Sequence, residues 1–149
     1  MKAGKVIGAV AAVAAALTVA GAAGAAAGDT VYTGATDEGV KVKLTVASPG
    51  NATKFKIGKT KIKCDEGGTL SNKAGTYSGF DRSDPGSFKD KRTTKSSAGG
   101  FDFKTRSKLA GEADAGSASW SGTLKLSTKV FDGREQIDSC RLSTAWTAS

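Results

Sequence analysis

The chain contains no histidine. Ser-His-Asp and Cys-His catalysis in their usual forms are therefore excluded, because both need an imidazole to carry the proton. The common zinc and iron sites lose their usual ligand as well, and no metal site is expected. Cysteine is nearly absent, with Cys64 and Cys140 the whole supply. Aromatic residues make up only 7% of the chain, so the material for a core is thin and a covalent staple matters. Helical periodicity is missing too. From Gly28 onward no useful stretch repeats its apolar residues at helical spacing, which points away from helical and mixed folds. The glycines punctuate turns, and none forms a phosphate-binding loop between a strand and a helix. No cofactor is expected.

The first 27 residues have a character of their own. Lys2 and Lys5 precede an uncharged run from Val6 to Val19, and Ala25-Ala26-Ala27 fits a small-residue cleavage pattern. Residues 1–27 are thus predicted to be a secretory signal peptide, and residues 28–149 one secreted domain. Cleavage after Ala25 fits the same pattern. The run is long enough to span a bilayer, which takes about 20 residues. It is mostly Ala and Gly, however, and no positive cluster follows it. No membrane span is expected after cleavage. Export to an oxidising compartment makes the two cysteines a disulfide, Cys64–Cys140. The bridge closes a loop of 140 minus 64, or 76, residues, worth roughly 4–5 kcal/mol by chain entropy.

The apolar residues of the mature part alternate. Val40, Val42, Leu44 and Val46 face one way, and Lys41, Lys43 and Thr45 the other, as in a half-buried strand. Val31 to Thr33 precedes it as a short strand, with Asp37-Glu38-Gly39 as the turn. A third strand is predicted over Thr53 to Cys64, with a bulge at Gly58-Lys59 where the apolar parity flips. Thr69 to Gly86 is weakly patterned. Phe88 opens a short strand that passes into a polar edge or loop at Lys89-Asp90-Lys91-Arg92. Phe101 and Phe103 alternate with charged residues, and Gly111 to Gly116 reads as a turn. Ala118, Trp120, Gly122, Leu124, Leu126, Thr128 and Val130 form the longest alternating run. Asp132-Gly133 is a hairpin turn, and the last strand carries Cys140, Leu142, Thr144 and Trp146 on one face. About eight strands result, read as an all-β antiparallel sandwich or closed barrel. The staple favours closure, since it ties the third strand to the last.

Several short features share one layout. Tyr32-Thr33-Gly34 with Gly39 follows the leader, and a strand ends in Cys64 ahead of Gly67-Gly68. Ser121-Gly122-Thr123-Leu124 opens a strand, and the chain closes on Cys140 and Trp146-Thr147-Ala148. This layout resembles a group of small exported β-domain proteins of actinobacteria and related soil bacteria. The resemblance implies an extracellular, single-disulfide β-domain and carries over no functional residue.

Carboxylates are the remaining catalytic material. Asp37-Glu38, Asp65-Glu66, Asp81 with Asp84, and Glu112 with Asp114 are local pairs. Two carboxylates across a cleft can hydrolyse a glycoside, yet each pair sits where a turn is already needed. The basic residues say more. Without Lys2 and Lys5, the 22 basic residues become 20 against 14 acids, a net charge of +6. Lys54, Lys56, Lys59, Lys61 and Lys63 crowd one predicted strand, Lys41 and Lys43 its neighbour, and Lys125 and Lys129 alternate outward on the longest. Lys41, Lys43, Lys54, Lys56 and Lys61 are the candidate contacts for anionic cell-envelope polymers. The competing reading is that lysines guard sheet edges and aid solubility. Specific nucleic-acid recognition is not expected, since no interleaved aromatic platform is present. The expected function is a non-enzymatic binding or structural module. A small apolar ligand carried inside a barrel is the alternative.

Overall fold

The computed structural model describes residues 28–149, and the expected signal peptide lies outside the described residues. These residues form an all-β, wholly antiparallel structure of eleven strands. They are β1 (Thr30–Thr36), β2 (Lys41–Ala47), β3 (Asn51–Ile57), β4 (Thr60–Cys64), β5 (Thr69–Asn72) and β6 (Gly75–Ser78). Then come β7 (Arg82–Asp84), β8 (Ser87–Ala98), β9 (Phe101–Ala113), β10 (Trp120–Asp132) and β11 (Glu135–Ala148). The strand order is β6-β3-β2-β1-β11-β10-β9-β8-β7. This is one strongly curled sheet, a half-barrel, rather than two separate sheets or a fully closed barrel.

Strand β11 organises the curl. One of its edges pairs with β10 over its whole length. The other edge forks: Trp146 to Ala148 pair with β1, while Cys140 and Arg141 pair with Cys64 and Lys63 of β4. The disulfide Cys64–Cys140 lies on that second branch. Its branch carries only the hairpin β4–β5.

The core is the concave side of the curl. Every second residue of β10 from Leu124 to Val130 is buried, as alternation demands. Phe55, Phe88, Trp120 and Trp146 are 0–2% exposed. Their rings touch in sequence, with Phe55 to Trp146 at 4.9 Å and Phe88 to Trp120 at 6.1 Å between centroids. Both tryptophans are thus core residues. Gly122 and Gly111 make room for them: a Cβ on either would stand 2.7 Å from the Trp146 ring. These aromatics pack β3 against β8 inside the curl, with Phe55 and Phe88 centroids 6.4 Å apart.

The seam between the two ends of the sheet is bridged by individual bonds rather than a ladder. Ser83 Oγ donates to the Ala52 carbonyl at 2.8 Å, and Gly86 N to the Gly50 carbonyl at 3.0 Å. Arg92 reaches the Ser78 carbonyl, lies 5.3 Å from the Tyr77 ring centroid, and pairs with the buried Asp90 at 2.6 Å.

Four expectations change. The stretch from Thr69 to Gly86 holds three short strands. The predicted strand Thr53 to Cys64 is two strands with different partners, because the backbone turns off at Gly58-Lys59 after Gly58 N donates to the Lys41 carbonyl. Phe88 opens a strand of 12 residues, whose inward positions include Asp90 and Arg92. Gly111 belongs to β9, and the turn that follows is residues 114–119.

Candidate functional site

The candidate lysines fall on the convex surface. Strands β1, β2, β3 and β6 contain four lysines and no Asp or Glu. Lys41 and Lys43 point outward because Val42, Leu44 and Val46 take the buried positions between and beyond them. Lys56 stands outward between buried Phe55 and Ile57. The register sets Lys43 directly opposite Lys56, with Thr33 and Thr76 at the ends of the row. Lys41, Lys43 and Lys56 border one shallow hollow, together with Thr33, Gly34 and Gly58. Lys54 sits further along β3, opposite Thr45 and Ser78. Lys61 is not part of this group. Its strand, β4, pairs with β11 and β5.

Lys61 instead extends a second and larger group, on β8–β11. There the register lines up Lys91, Lys108 and Lys125 in one row across three strands. Lys95, Lys104 and Lys129 form another. Between them runs Thr93, Arg106, Ser127, Arg141 and Lys63. Rows on one face repeat about every 7 Å along a strand, and neighbours within a row stand about 5 Å apart at Cβ. The outward acids of β9, Asp102 and Glu112, lie at the two ends of this block.

Sequence reasoning saw Lys125 and Lys129 but missed the rows. Part of the signal was present. Gly99 and Gly100 both have positive φ, at 60° and 83°, the requirement of a two-residue hairpin turn. That turn closes Ala98 on Phe101 and thereby sets Lys91 opposite Lys108 and Lys95 opposite Lys104. The β9–β10 connection is a longer loop, whose register no turn rule supplies.

Like charges directly opposite one another destabilise a sheet. At about 6 Å in water each such pair costs roughly 0.7 kcal/mol before screening. The usual remedy, an interleaved acid, is missing. Three ion pairs occur among the described residues, Arg82–Asp84, Arg92–Asp90 and Arg141–Asp65, and none uses a lysine. Edge protection covers Lys91 and Lys95, since β7 pairs with β8 only as far as Lys89, but not Lys43, Lys108 and Lys125, which have a strand on both sides. The short edge strands β5 and β6 carry no lysine.

Most of the paired carboxylates serve turns, while Asp84 lies on β7 and Glu112 on β9. Asp114 accepts from Ala118 N, Ser119 N and Ser119 Oγ, and these bonds, the Ser119 hydroxyl foremost, hold its pKa below the usual range. Glu38 accepts from the Thr144 hydroxyl, which lowers its pKa. Asp81 accepts from Lys91 N, and Asp84 binds Arg82. Asp65 and Glu66 lie in the β4–β5 turn. On the concave side, burial pushes the Tyr77 hydroxyl pKa up. The cluster Cys64, Asp138 and Cys140 has metal-like spacing, but its two sulfurs are bonded to each other. No helix among the described residues is long and apolar enough to cross a membrane. Comparison with family models, curated proteins and solved structures finds no match for the chain.

Proposed function

We propose that the protein is a secreted, non-enzymatic module that binds anionic polymers of the cell envelope through its convex lysine surface. The observation that carries this reading is the stacking of like charges across β8, β9 and β10, two of each three on strands paired on both sides. The rows Lys91–Lys108–Lys125 and Lys95–Lys104–Lys129 cost stability, and none of their lysines is ion-paired. An external polyanion relieves that repulsion on binding. Lysine dominates over arginine, which suits recognition of charge density rather than of a planar group gripped at two points. The disulfide fits an extracellular setting. The apolar-carrier reading has less support, since the rings of Phe55, Phe88, Trp120 and Trp146 occupy the concave side where such a ligand would sit.

Retention on isolated cell walls and on immobilised heparin, eluted with a salt gradient, tests this. The wild type elutes late, and the variant K91Q/K108Q/K125Q at clearly lower salt, because fewer counterions are displaced on binding. The exposed Gln residues leave the core untouched. Elution of both proteins in the low-salt wash overturns the proposal.

A further inference from the structure

We infer that the free half of β8 is a docking edge for an extended acidic peptide, which adds to the sheet as a further strand. This goes beyond the polymer-binding reading and does not rest on it, because backbone groups at a sheet edge carry it.

Strand β8 has 12 residues, but β7 pairs only with Ser87 to Lys89. The next edge amide, Lys91 N, donates to the Asp81 carboxylate at 2.8 Å. Beyond it, no other strand among the described residues lies on this edge. Ala98 and Phe101 flank the two-residue turn Gly99-Gly100, and such a flanking pair exchanges hydrogen bonds across the hairpin. The even-numbered residues of β8 therefore bond to β9. The N–H and C=O groups of Thr93, Lys95 and Ser97 face the free edge, and none of them meets a backbone partner there among the described residues.

The concave side is uncovered along the same stretch. Thr94, Ser96 and Ala98 take the inward positions yet are exposed. Beside them opens a cleft of about 360 Å³, between Ser96 and Ser97 of β8 and Ser71 and Asn72 of β5, with the half-buried Leu70 and Phe103 also lining it. Strand β5 pairs with β4 alone, so the cleft lies between two unpaired edges. A strand added to β8 stands about 4.8 Å from it, and every second side chain of that strand turns to the concave side. There Leu70 and Phe103 offer apolar contact.

Charge selects the occupant. After Asp90, β8 carries Lys91, Arg92 and Lys95 and no acid. Strand β5 carries no charge, and Lys73 follows it. The outward side chains of an added strand would stand opposite Thr93, Lys95 and Ser97, within reach of the cations at Lys95 and of Arg106 beside Thr93. Asp102 stands opposite Ser97 and accepts from its hydroxyl, so the preference for acid is confined to the first two positions. A second copy of this chain brings more lysine to the edge and no acid, the arrangement by which edge lysines deter self-pairing. The fitting partner is a short extended segment that alternates apolar and acidic residues. Its backbone bonds give affinity and its alternate side chains give specificity.

A blocked, fluorescein-labelled peptide Thr-Val-Asp-Val-Asp tests this, titrated with protein at physiological salt and followed by anisotropy. The wild type binds it saturably, one peptide per protein. The same peptide N-methylated at both Asp amides, which face β8 in this register, binds at least tenfold more weakly although its charge is unchanged. Thr93→Pro removes an edge amide without touching the ladder to β9 and weakens binding at least tenfold, as does Lys95→Glu. Near-ultraviolet circular dichroism of the buried tryptophans confirms that both variants fold. Equal affinity for the parent and N-methylated peptides would mean that charge alone holds the peptide, and the inference is overturned. Absence of binding overturns it too. So does a concentration-dependent dimer of the free protein that Thr93→Pro abolishes, since a second copy is then the occupant.

Discussion

The two ends of the half-barrel are held together differently. At the end where β1 meets β11, four aromatic rings are sealed in the concavity, and Gly111 and Gly122 are spared side chains so that Trp146 fits. At the other end, around the tips of the β8–β9 and β10–β11 hairpins, Phe101 is 39% exposed and Ile137 42%. There the inward contacts are sparser. Thr105 and Thr128 share a hydrogen bond of 2.8 Å, and the covalent link Cys64–Cys140 takes the place of missing apolar burial. Burial scales with area and acts on the folded state. A cross-link acts mainly by limiting the unfolded chain. One small domain uses both because it has too few large side chains to seal both ends.

The largest expected effect separates the ends directly. Trp146→Ala should cost about 3–5 kcal/mol, the range for emptying a large core site. Phe101→Ala should stay within about 0.5 kcal/mol, as for exposed positions. Urea unfolding followed by far-ultraviolet circular dichroism compares them, and similar losses would refute the division. Next comes the staple. The double variant Cys64→Ser, Cys140→Ser should lose roughly 2–4 kcal/mol. Its hydrogen-exchange protection should fall most in β4–β5 and least in β10, since only the former depends on the bridge for attachment. Uniform deprotection would mean that the two ends are one cooperative unit.

The smallest effect concerns the loop that caps the aromatic end, where Asp114 accepts three hydrogen bonds from residues 118 and 119. Its pKa is depressed in the folded state. The stabilisation is therefore present above the ordinary carboxylate range and is lost as pH falls through the folded pKa. Asp114→Asn should lower the urea midpoint slightly at neutral pH and have no effect in strong acid. A difference between variant and wild type that does not change with pH would count against this assignment.

Much of this contrast was legible in the residues. The alternation of β2, β10 and β11 and the pairing of the cysteines follow from side-chain type and spacing. The length of β8 did not, because two of its inward positions are Asp90 and Arg92, and alternation is read from apolar residues. Their burial is tolerated only because they pair with each other and Arg92 reaches Ser78 across the seam, a tertiary fact. The break between β3 and β4 reads as a bulge in the sequence, since a parity flip looks the same whether a strand kinks or ends. For the candidate site, Lys41, Lys43 and Lys56 were found together because they flank a short turn. The rows on β8–β11 needed the register of three long strands. Lys61 lies on a strand with other partners than β3, because the chain leaves β3 at Gly58-Lys59, a break that alternation alone does not mark.

The fork of β11 has a practical side. The hairpin β4–β5 is a side branch, clamped just before its turn by a covalent bond and turning through the exposed residues Glu66, Gly67 and Gly68. A guest peptide spliced into that tip would leave both the aromatic seal and the ladder between β1 and β11 intact. It would emerge beside Lys63 and Arg141, on the rim of the larger positive surface. The molecule thus offers a built-in display position beside its larger positive surface.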